Sequence, residues 1–198
     1  MVDMVIESNH HDKIFMDLLL YDQLISEQKA VMVIFLALQY FRCQNGTDPE
    51  GWFKVSYAEF KQKLGGSSDT ITYCIRRLVD GSILERTQTK HNENYYRFTE
   101  RSYEKIRYIR LRPQVVEKLM ALSKSAIRLY LALHFFRIEQ NIEGTSPILV
   151  KREDFIMFVG LSNNTITSSR EALFSHGLID FERSQSGKAP MFYYILEE

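Results

Sequence analysis

The sequence predicts a mainly α-helical chain with small β-hairpins, laid out as two tandem copies of one unit. Three observations carry that reading. The first is a self-match: shifted by 95 residues, the chain meets itself without a gap from about Leu36 to Leu84. LALQYFR at 36–42 falls on LALHFFR at 131–137, SSDTIT at 67–72 on SNNTIT at 162–167, and ILE at 83–85 on LID at 178–180. Val55 meets Val150, Phe60 meets Phe155 and Gly65 meets Gly160. Register held over that length implies an internal duplication. The second observation is helical periodicity, closed in the first copy by Ser67 and Gly81. The third is a pair of β-rich runs around a polar tip after each such helix.

Length and composition agree with two units. A chain of 198 residues with 45% hydrophobic and 13% aromatic residues can bury two cores of about 90 residues each, and disorder is excluded by that apolar content. The longest apolar run, Ala30 to Leu38, is far shorter than the ~20 residues of a membrane helix. No signal peptide is legible, so the expected setting is cytoplasmic, with no membrane contact. Cys43 and Cys74 lie in helical patterns and read as reduced thiols. The five histidines, His10-His11 aside, are scattered, and no Cys/His spacing fits a zinc site, so neither metal nor cofactor is expected. Net charge is zero, with 11 basic against 13 acidic residues in 1–99 and 14 against 12 in 100–198. The stretch 101–112 gathers five basic residues and one acid. Any polyanion would therefore be held by local patches rather than by a global field.

In chain order, the first dozen residues read as a loose arm and Asp17–Ile25 as a short helix. Ser26 is expected to cap a helix from Glu27 to about Cys43 whose middle is apolar all round, so that it is buried on several sides or lies at an interface. Asn45–Gly51 is turn chemistry, Trp52–Val55 a short strand, and Tyr57–Leu64 a helix begun by Ser56. Ser67 then caps a helix whose apolar stripe is Ile71, Ile75, Leu78 and Val79. Gly81 is expected to end it as a left-handed cap. Ile83–Gln88 and Tyr95–Thr99 form the hairpin. Tyr103–Leu111 leans to strand, and Pro113 suits the first turn of a helix. The second copy runs through a helix at Ser125–Glu139, a strand at Ile148–Val150, helices at Arg152–Val159 and Asn163–Ser175, and a hairpin within Leu178–Leu196.

Helix, helix, strand, helix, turn, helix, hairpin is the winged-helix order, with the hairpin as the wing. The expected fold is therefore two tandem winged-helix domains, residues 13–100 and 107–197, joined by a basic linker at 101–106. In the second helix of the first helix-turn-helix, Asp69, Thr72, Tyr73 and Arg76 fall opposite the apolar stripe; their counterparts are Asn164, Thr167, Ser168 and Glu171. Arg pairs bidentately with guanine and Asn with adenine, so two such faces can read different bases. The same faces could equally be solvated surface.

The pattern S-x-x-T-I-x-x-x-I-x-x-L-x-x-x-x-I at Ser67–Ile83, its looser partner from Ser162, and the helix ending in LALQYFR or LALHFFR resemble the tandem winged-helix replication initiators and regulators of bacterial plasmids and phages. The likeness extends from about residue 13 to 196. It implies a double-stranded DNA partner, a nucleoid-associated location and contacts from Ser68, Asp69, Thr72, Tyr73 and Arg76, with Lys90 and His91 at the wing tip. In the second copy it implies Asn163, Asn164, Thr167, Ser168 and Arg170, with Arg183 and Lys188. Arg170 takes the place of Ile75 and is expected at the edge of the buried face. Zero net charge departs from the usual basic pattern of such proteins. An enzyme is disfavoured: Gly65-Gly66 lacks phosphate-loop spacing, and the acid pair Glu153-Asp154 sits at a helix start, where it favours the dipole. A protein-docking scaffold without DNA binding is the alternative, with a homodimer or a partner protein left open.

Overall fold

The computed structural model describes residues 14–17, 24, 26–89, 93–99, 108–182 and 191–196. The expected arm, most of the helix at 17–25, the linker at 101–106, residues 90–92 of the first wing tip and the whole of the second wing tip lie outside these. Strand β1 (Ile14–Asp17) is followed by helix α1 (Lys29–Asn45), strand β2 (Phe53–Lys54), helices α2 (Tyr57–Leu64) and α3 (Ser68–Asp80), and strands β3 (Leu84–Gln88) and β4 (Asn94–Phe98). Then come β5 (Tyr108–Leu111), α4 (Pro113–Ala121), α5 (Lys124–Glu139), β6 (Ile148–Val150), α6 (Arg152–Val159), α7 (Asn163–Ser175), β7 (Ile179–Glu182) and β8 (Met191–Ile195). The described residues are thus mainly helical, with small antiparallel sheets ordered β2-β4-β3 and β6-β8-β7 and a separate β1–β5 pair.

Helices α1 and α5 are the centres of the two halves. In α1, Val31, Met32 and Ile34 to Gln39 are all buried; in α5, Ala126, Ile127 and Leu129 to His134 are. Around each, the same chain of edge-to-face rings recurs. Phe41 meets Phe60 at 5.4 Å between ring centroids and Phe60 meets Tyr96 at 6.3 Å; Phe136 meets Phe155 at 5.5 Å and Phe155 meets Tyr193 at 5.5 Å. Phe41, Phe60, Phe136 and Phe155 stand 95 residues apart in pairs, so these four rings fall at matching places. Such contacts add about 0.5–1.5 kcal/mol each beyond buried area. The tyrosines close the chain from the central strand, where Phe53 pairs with Tyr96 and Ile148 with Tyr193.

Helix α4 packs chiefly on α1, the long helix of the other half, through a face that buries Val115, Val116, Leu119 and Met120. Lys63 of α2 lies 4.2 Å over the Tyr40 ring and pairs with Glu117 of α4. The β1–β5 ladder also crosses between the halves, pairing Ile14 with Leu111, Phe15 with Arg110 and Met16 with Ile109. Adding 95 to one strand and subtracting it from the other turns the first pair into the third, and leaves the second unchanged. The ladder is symmetric about the Phe15–Arg110 pair.

Three local expectations are corrected. Ser26 does not cap α1: the Glu27 N–H bonds back to Leu24 O at 3.1 Å, and the helix starts afresh after Gln28, which lends no side-chain bond. Gly81 is not left-handed (φ −77°); Ser82 is, at φ 53°. The α3 ending is a Schellman turn, in which Ile83 N–H reaches Leu78 O and Ser82 N–H reaches Val79 O, so its left-handed residue falls one place later than the glycine. Val79, read into the apolar stripe, is 36% exposed, and Cys74 is buried in its stead.

Candidate nucleic-acid interface

Helices α3 and α7 begin alike. The Ser67 hydroxyl accepts the Thr70 N–H at 3.2 Å and that of Ser162 accepts the Thr165 N–H at 3.3 Å, each occupying one of the free donors of the first turn. The preceding helix α2 is fixed by a reciprocal capping box, with Glu59 N–H on the Ser56 hydroxyl at 3.2 Å and Ser56 N–H on the Glu59 carboxylate at 2.7 Å. In α3 the buried residues are Ile71, Cys74, Ile75 and Leu78; in α7 they are Ile166, Ser169, Arg170 and Leu173. Burial raises the Cys74 thiol pKa, so it packs as an apolar group.

The opposite faces are open. Asp69, Tyr73 and Arg76 are exposed on α3, with Ser68 and Thr72 half-buried. On α7, Asn163, Asn164, Ser168 and Glu171 are exposed and Thr167 is half-buried. Two adjacent arginines have separate fates. Arg77 holds Glu27 with an Nη2–Oε1 distance of 2.7 Å and anchors the end of α3 against the start of α1. Arg76 makes no ion pair among the described residues. Its guanidinium, with Tyr73, is the most adaptable donor on this face.

Arg170 is not on the open face. It is 3% exposed, with its guanidinium 4.4 Å from the Phe181 ring centroid and Nη1 3.1 Å from Met191 Sδ. The apolar ring and thioether bind the cation against the sheet, and its assignment to DNA contact is withdrawn. Burial raises the Tyr193 hydroxyl pKa, while Arg170 pulls it back. Tyr96 shows the same pattern: burial raises it, and Arg86 of β3 opposes. Tyr96 and Tyr193 are thus each opposed by cations, Arg86 of β3 in one half and Arg170 of α7 with Arg152 of α6 in the other. Lys90, His91, Arg183 and Lys188 lie outside the described residues.

Two residues absent from the sequence-derived set touch the open faces. The Tyr57 hydroxyl lies 3.1 Å from Thr72 Oγ1, and Arg152 Nη2 lies 3.0 Å from Thr167 Oγ1. Both open their helices, α2 and α6, and both sit 15 positions before the threonine they meet. That shared spacing was the available signal. No helix among the described residues is long and apolar enough to cross a membrane, and none of their acidic, His and Cys side chains gather into a metal-binding group. Compared with known proteins, the chain matches no family model and no curated protein.

Proposed function

We propose that this chain is a sequence-selective double-stranded DNA-binding protein made of two winged-helix units that arose by duplication, and that it acts on the nucleoid as a transcriptional regulator or as a replication initiator of the plasmid or phage type. One observation carries the reading. Two helices at matching places, each capped by serine and backed by a buried stripe, present short open faces of hydrogen-bonding side chains beside a three-stranded sheet. A helix of that kind suits the major groove. The repeated ring chains and the matching strand orders support the duplication. The symmetric ladder supports a local two-fold between the units, which favours inverted, unlike half-sites: Arg76 in one unit answers to Glu171 in the other.

The test is fluorescence anisotropy on a duplex taken from random-oligonucleotide selection and on a scrambled one, each at two salt concentrations. The selected duplex is expected to bind tighter, and Arg76→Ala to cost about 1–3 kcal/mol and relax preference at one base position. Equal, weak binding to both duplexes, unchanged by Arg76→Ala, would refute the proposal. A second reading, in which the latter unit docks a protein, is favoured by one feature. Leu149 and Met157 are 44% and 77% exposed where the first unit carries Lys54 and Gln62. A partner that co-purifies with the native chain and is lost on Met157→Gln would favour that reading.

A further inference from the structure

The cation of the second unit's open face comes from a different helix than that of the first. In both units the threonine hydroxyl is already committed as a donor: Thr72 to Ser68 O at 2.8 Å and Thr167 to Asn163 O at 3.1 Å. Whatever approaches its oxygen must therefore donate. In the first unit Tyr57 does so and spends its only proton, leaving only acceptor lone pairs. In the second, Arg152 spends one N–H of five and keeps a charged fork of unused donors on the face. Meanwhile the open face of α7 carries no cation of its own, since Glu171 stands at the place of Arg76 and Arg170 is buried. Helix stability does not explain Arg152, because a cation in the first turn opposes the helix dipole. Arg152 is itself exposed, so burial does not account for it either.

We propose that Arg152 is the phosphate clamp of the second unit: held by Thr167, its guanidinium grips a backbone phosphodiester of duplex DNA at the edge of the groove that α7 enters. The proposal rests on the DNA-binding reading above. The first helix of a helix-turn-helix crosses the backbone, and Arg152 opens that helix. A guanidinium pinned at one N–H still offers two parallel donors to a phosphate, an arrangement neither the tyrosine of the first unit nor a free lysine reproduces.

The experiment uses the full chain with Arg152→Ala, Arg152→Lys, Arg152→Tyr and, as reference, Arg76→Ala, on the selected and scrambled duplexes across a salt series. Arg152→Ala and Arg152→Tyr are expected to weaken both duplexes by the same factor and to reduce the slope of log affinity against log salt by about one. Arg152→Lys, which keeps the charge, should keep the slope. Thermal melts of all variants should coincide with the parent. An unchanged slope in Arg152→Ala would overturn the proposal. So would a changed base preference with the slope intact, which would make Arg152 a base reader. If the parent chain does not distinguish the two duplexes and Arg76→Ala changes nothing, the DNA-binding reading itself has failed, and the clamp falls with it.

Discussion

His134 occupies in α5 the place that Gln39 occupies in α1, and both are buried. Neither His134 Nε2 nor Gln39 Oε1 finds a hydrogen-bond partner among the described residues. Burial, aided by the nearby Arg137 charge, lowers the His134 pKa from 6.5 to about 3, so the folded state holds it neutral. The unfolded chain protonates it near its ordinary value. The stability this neutral imidazole retains above pH 6.5 is therefore lost as pH falls from there toward 3, at about 1.4 kcal/mol per unit. His134→Gln, copying the other half, is expected to narrow or reverse any deficit by about 2 kcal/mol between pH 7.5 and pH 5 in urea unfolding. A gap between the two proteins that does not move with pH would refute this. At this scale the sequence was legible for faces and less so for edges. Asp69, Tyr73, Arg76, Asn164 and Ser168 lie open as their spacing implied. Arg170 sits at the boundary of the buried stripe, where a 100° step per residue leaves the choice to the neighbours. Phe181 and Met191, distant in sequence, made that choice.

Helix ends show where local pattern suffices and where it fails. The serine caps at Ser56 and Ser67 form as read, because the next three residues supply the cap's partners, and Ser162 repeats the Ser67 cap; Ser26, read the same way, does not cap α1, which starts after Gln28. The far ends are set by the chain beyond them. Helix α7 closes with His176 at φ −92° and Gly177 at φ 63°, its Leu178 N–H reaching Leu173 O. Helix α3 makes the same turn with the glycine one residue early, so Ser82 bears the left-handed conformation. That conformation costs an L-residue about 1–2 kcal/mol, against which glycine loses about 0.4–1 kcal/mol through its freer unfolded chain. Ser82→Gly is thus expected to raise stability by about 0.5–1 kcal/mol, and chemical denaturation would detect it. A loss would mean that the Ser82 side chain contributes more than its backbone costs. That α1 and α5 are buried central helices was plain from their apolar middles, although α1 starts and ends two residues later than its pattern implied. The partner that covers α1 was not, since α4 lies some 80 positions further along the chain.

For the whole molecule, the 95-residue repeat foretold the order of elements in each half. It said nothing of how the halves meet, because periodicity within a unit carries no information about contacts between units. They meet through α4 on α1 and through β1 on β5. A ladder in which a strand faces its own counterpart is the geometry by which two identical chains would associate. Here one polypeptide supplies both strands, so the effective concentration of one for the other is on the order of millimolar at any dilution. The association of the halves should then be independent of mass action. Over about a hundredfold dilution the thermal midpoint is expected to stay fixed. After a proteolytic cut between residues 99 and 108 it should fall with every further dilution, as it does for a dimer.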